Sequence, residues 1–172
     1  MKTIICAVLL YLAGAATLAG ARTPGEVDIG GMLREAPLQG LTVPSRLLSD
    51  YRGLPLIINV WASWCGPCRM EMGSLERLSR RYGGKRFRVI GISTDDYVDP
   101  AKGYVRDTQV SFDNFIDSKL AMENMLGADR IPLTLLVDAK GRVLGKYYGA
   151  KEWDSPEALD LIGKSFGIKL SK

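Results

Sequence analysis

Two cysteines stand two residues apart in Trp64-Cys65-Gly66-Pro67-Cys68, a spacing that lets a disulfide close across one helical turn without displacing the backbone. Such a pair can be oxidised and reduced repeatedly. Cys65 falls where an apolar run ends and an amphipathic one begins. Unpartnered N–H groups and the positive end of a helix dipole favour a thiolate at that place, so Cys65 is the expected nucleophile. Cys68, one turn inward on the apolar stripe, is the expected resolving thiol. Pro67 suits a first helical turn, where the N–H it lacks has no intrahelical acceptor, and Gly66 lets a second backbone come close.

The chain has 172 residues, 47% hydrophobic and 24% charged, and no histidine. That excludes His-ligated metal or haem, a His general base and a Cys-His pair. Zinc needs more ligands than Cys65 and Cys68, and the only other cysteine is Cys6, inside the amino-terminal segment. No metal and no cofactor is therefore expected beyond the redox-active Cys65–Cys68 pair. A purely structural disulfide across four residues would constrain little of the unfolded chain and add little stability. The formal net charge of +4 is too mild to imply nucleic acid as a partner.

These cysteines need a strand before them and a helix after them. Residues 55–61 are apolar and β-branched without clean alternation, as for a central strand buried on both faces. Cys68, Met72, Leu75 and Tyr82 then recur at helical steps, with Arg69, Arg77, Arg80 and Arg81 mostly opposite, up to Gly83-Gly84. Further on, 87–92 reads as a strand, 100–107 as a short helix, 111–116 as a strand and 119–126 as a helix ending at Gly127. Strands at 133–137 and 142–148 flank the hairpin signal Asp138-Ala139-Lys140-Gly141, and a capped helix opens at Asp154-Ser155-Pro156-Glu157. This order predicts an α/β fold with a mixed central sheet and helices on both faces.

Upstream, residues 3–21 are uncharged after Lys2 and end in Ala19-Gly20-Ala21. They read as a signal peptide over 1–21 or as an uncleaved anchor that tethers the protein to a membrane. Both place the folded part in the periplasm or another extracytoplasmic space. Residues 22–36 read as a flexible arm or linker, and 37–172 as the folded domain.

The segment Asn59-Val-Trp-Ala-Ser-Trp-Cys-Gly-Pro-Cys-Arg-Met-Glu71 resembles the active-site segment of the thioredoxin superfamily, in particular its exported TlpA-like branch, which includes cytochrome c maturation reductases. The resemblance runs from about residue 37 to 166. It implies a thioredoxin-like fold with an extra strand-helix unit before the hairpin. It also implies that Pro132 is the cis-proline facing the cysteines, with Ile131 pairing its backbone with an incoming peptide. Trp64, Gly66 and Pro67 would line the same client-binding surface. Glu71, three residues after Cys68 and on its helix face, matches an acidic position assisting proton transfer to the inner thiol; an ordinary solvated glutamate is the alternative. Asn59 stands where plain thioredoxin has an acidic residue, and it cannot titrate. Trp61 reads equally well as a site-lining or a core residue.

The implied activity is protein disulfide reduction on exported clients, such as apocytochrome c or copper-site assembly proteins, with electrons returned by a membrane donor. A thiol peroxidase or a copper-delivery protein on the same fold is the alternative. The peroxidase pattern fails at Ile58 and Ala62, and copper delivery lacks its Cys-x-x-x-Cys and its histidine.

Overall fold

A computed structural model describes residues 23–170. The Cys6 and signal-or-anchor readings lie outside them. Seven strands form one sheet in the order β2-β1-β5-β4-β3-β6-β7. The central strand is β3 (Leu56–Trp61), buried along its whole length and paired parallel to β4 (Arg88–Ser93) and antiparallel to β6 (Leu133–Val137). β5 (Asp113–Ile116) extends the parallel side, and β7 (Val143–Tyr148) the antiparallel side.

Alternation along β3 divides the core. Ile57 and Trp61 face a layer built from α1 (Gly66–Tyr82), α2 (Val98–Asp107) and α4 (Pro156–Phe166). Ile58 and Val60 face α3 (Ala121–Leu126). The hand of parallel βαβ crossovers puts α1 and α2 on one face, since β3-α1-β4 and β4-α2-β5 step the same way across the sheet, while α3 joins β5 to the antiparallel β6 and packs on the other face. Met72, Leu75 and Leu78 are at most 1% exposed, so α1 is fixed by its apolar stripe.

The predicted α/β sheet with helices on both faces is the observed one, with local differences. α2 starts two residues early because Pro100 fits inside a first turn. α3 starts late, where Asp117 accepts from Ala121 N and Glu123 N. The strands β1 (Pro37–Gly40) and β2 (Arg46–Leu47) carry no apolar period, since Leu38 alone among them is buried. Gly40 permits their tight turn: a Cβ there would lie 2.0 Å from the Val43 carbonyl oxygen. The segment read as a flexible arm is hydrogen-bonded to the outer edge of β7 in its described part. Gly30 N donates to Val143 O at 2.8 Å, Val143 N to Gly31 O at 2.9 Å and Leu33 N to Gly141 O at 2.8 Å. Pairing of this kind runs through backbone groups and leaves no trace in side-chain composition.

Candidate active site

β3 delivers the chain to a turn over residues 62–65, closed by Cys65 N donating to Ala62 O at 3.1 Å, and α1 begins at once. Cys65 is the N-cap residue, and its Sγ accepts from Cys68 N at 3.2 Å. The two cysteines form a disulfide with Cα atoms 5.3 Å apart. Helix start and cysteine pair thus coincide, as the sequence implied. Cys65 is 5% exposed and Cys68 1%, so the ring is more enclosed than an open helix start suggests. What lies open is its border. Trp64 is 70% exposed, Gly66 and Pro67 are exposed, and a Cβ on Gly66 would meet nothing of this chain.

Opposite the pair, the Ile131–Pro132 peptide bond is cis, and the Ile131 carbonyl oxygen lies 3.8 Å from Cys65 Sγ. Pro132 is buried and Ile131 half-buried at the start of β6. The proline and the cysteines therefore share one end of the sheet. Trp61, unlike Trp64, is core: it is fully buried, and its Nε1 donates to Asn114 Oδ1 at 3.1 Å. Gly91 makes room for that bond, because a Cβ there would lie 2.0 Å from Asn114 Oδ1.

Glu71 is not solvated. It is 1% exposed on the inward face of α1, where Asn59 Nδ2 donates to its Oε1 at 2.7 Å. Lys151 N and Trp153 Nε1 each donate to its Oε2 at 3.0 Å. Burial raises its pKa above the ordinary glutamate value, and the three hydrogen bonds offset only part of that effect. Asn59 also donates to Thr134 Oγ1 at 3.0 Å, so α1, β3, β6 and the loop before α4 meet in one polar knot beneath the cysteines. Thr134 escaped the sequence reading, and Trp153, part of the late segment that carries the resemblance, was not read as a partner of Glu71. Trp153 lies 82 residues from Glu71, and nothing local marks it as a donor.

A strand-to-helix cysteine pair on a mixed sheet, with the carbonyl that precedes a cis-proline beside it, defines a thiol-disulfide oxidoreductase of thioredoxin-like fold. The chain belongs to the Redoxin family, which matches residues 44–162. It is similar to the thiol-disulfide oxidoreductase ResA of Bacillus thuringiensis subsp. konkukian, at 27% identity over 155 residues and 86% of each chain. It is also similar to the thiol:disulfide interchange protein DsbE of Vibrio cholerae, at 30% identity over 130 residues, 72% of this chain and 67% of that one. Among solved structures, a Chlorobium tepidum protein described as a thiol:disulfide interchange protein DsbE superposes with a TM-score of 0.75. It shares 26% identity, over 81% of this chain and 99% of that one.

Proposed function

We propose that the protein works as a reductase: its dithiol reduces disulfides of exported clients, with Cys65 attacking and Cys68 resolving. The observation that carries the order of attack is the N-cap position of Cys65, whose sulfur accepts from Cys68 N. A thiolate gains from that N–H and from the helix dipole. Cys65 attacks one client sulfur, the client disulfide breaks, and a mixed disulfide forms with release of one client thiolate. Cys68 then loses its proton and attacks Cys65 Sγ, which releases the second client thiolate and closes the Cys65–Cys68 disulfide. Two electrons pass to the client, and a membrane dithiol donor restores the protein.

In this reading Glu71 takes the Cys68 proton. It lies one turn from Cys68 on the same buried helix face, and its raised pKa makes it a better proton acceptor than an ordinary glutamate. Trp64, Gly66, Pro67 and the Ile131–Pro132 edge form the surface a client strand would meet, with the Ile131 backbone adding to it as a strand partner. Clients of the apocytochrome c or copper-site assembly kind, and an extracytoplasmic location with residues 1–21 as signal or tether, complete the reading. Reduction of insulin by the pre-reduced protein tests it. Wild type should precipitate insulin B chain and Cys65→Ser should not, whereas equal activity in the two would refute the assignment.

A further inference from the structure

A buried carboxylate that this mechanism leaves unused sits on the sheet end beside the nucleophile. Asp95 is 3% exposed and follows β4. Its Oδ2 accepts from Ser63 N at 2.9 Å and from Ser93 Oγ at 2.7 Å, and its Oδ1 accepts from Ser63 Oγ at 2.6 Å. Ser63 precedes Cys65 by two residues. The β3–β4 ladder ends at Trp61 and Ser93, and its last backbone contact is Thr94 N to Trp61 O at 2.8 Å. Beyond that point the Asp95 side chain continues the attachment where backbone pairing has stopped.

The donor pattern selects a carboxylate. Three donors converge from Ser63 and Ser93, and a carboxylate is acceptor-only on both oxygens, whereas an asparagine would turn an N–H toward one of them. Placing a charge so deep is costly, and hydrogen bonds to the charged form are what offset that cost. The tie is made to a turn whose Trp64 and Gly66 face solvent.

We propose that Asp95 is a positioning residue for the Cys65 nucleophile, a role that rests on the exchange reaction proposed above. Anchoring Ser63 fixes the turn that carries Cys65 into the helix, and so keeps its sulfur aligned with Cys68 N at 3.2 Å. Small misplacements of a reacting atom cost rate steeply. A released turn loses both the thiolate-stabilising N–H and the line of approach to a client sulfur.

The test is the rate at which iodoacetamide alkylates Cys65 at neutral pH. It is followed at the Cys65 peptide by mass spectrometry, in full-length reduced protein carrying Cys68→Ser. Asp95→Ala should slow alkylation about tenfold, and Ser63→Ala, which keeps the backbone N–H, about threefold. The double variant should be no slower than Asp95→Ala, because the one contact that Ser63→Ala removes is already lost in Asp95→Ala. Asp95→Asn, with the same volume and one acceptor oxygen, should recover part of the rate. A merely structural Asp95 predicts the opposite sign: a loosened fold exposes Cys65, and alkylation stays equal or quickens while the melting temperature falls. Equal or faster alkylation in Asp95→Ala and Ser63→Ala overturns the proposal, and if Asp95→Ala does not fold, Ser63→Ala at the wild-type rate overturns it alone. Insulin reduction by wild type, read alongside, separates the two ideas. Its absence with slowed alkylation in the variants refutes the reductase reading and leaves the positioning role standing.

Discussion

Glu71 differs from a surface glutamate in being almost wholly enclosed by the protein, and this gives its ionisation a measurable cost. Its folded pKa lies above the ordinary value of 4.5, so the native state binds more protons than the unfolded state between the two. The stability it contributes is fully present below the unfolded pKa and is lost as pH rises through the folded one. Glu71→Gln removes that slope. Denaturant midpoints measured from about pH 4 to about pH 7 should therefore move in favour of Glu71→Gln as pH rises, and parallel profiles would show a glutamate in ordinary water. The same variant should slow resolution of a mixed disulfide by Cys68 and leave the first attack by Cys65 largely unchanged. At this scale the cysteines were legible because their spacing is itself the chemistry. Asp95 was not, because its meaning lies in Ser63, 32 residues away, and an isolated acidic residue after a strand carries no signal.

Among the elements, β3 and α1 follow directly from apolar runs and helical spacing, since each buries its pattern in the core. The arm shows the opposite case. Its described part covers the free edge of β7 through backbone pairs, and it is also pinned by Glu26, which forms an ion pair with Lys146. The Lys146 side chain is only 7% exposed, so its ammonium depends on that partner. Removing one member of an enclosed pair leaves an uncompensated charge. Glu26→Ala should lower unfolding free energy by about 2–4 kcal/mol, with Glu26→Gln losing less, both read from urea midpoints. A loss within about 0.5 kcal/mol would mean the Glu26–Lys146 pair adds nothing to the folded unit. β1 and β2 were hidden for a related reason: short strands on the sheet margin bury one side chain and pair through groups every residue has.

For the whole molecule, the sheet brings residues from five stretches of chain to one end, namely Asn59, the 62–71 turn and helix start, Asp95, Ile131–Pro132 and the 151–153 loop. The cis-proline reached this account through resemblance alone, because nothing in Ile131-Pro132 taken locally favours the cis form. The proposed export belongs to the chain as a unit, and a reporter fused after Lys172 should be active only outside the cytosol; activity inside it would remove the proposed clients. The exchange chemistry itself meets its most direct test in a trapping experiment with a disulfide-containing client peptide. Reduced Cys68→Ser protein should accumulate a mixed disulfide with that client, mapped by mass spectrometry to Cys65, while Cys65→Ser protein accumulates none. A mixed disulfide that forms on Cys68 at the rate seen on Cys65, or in neither variant, would contradict the account.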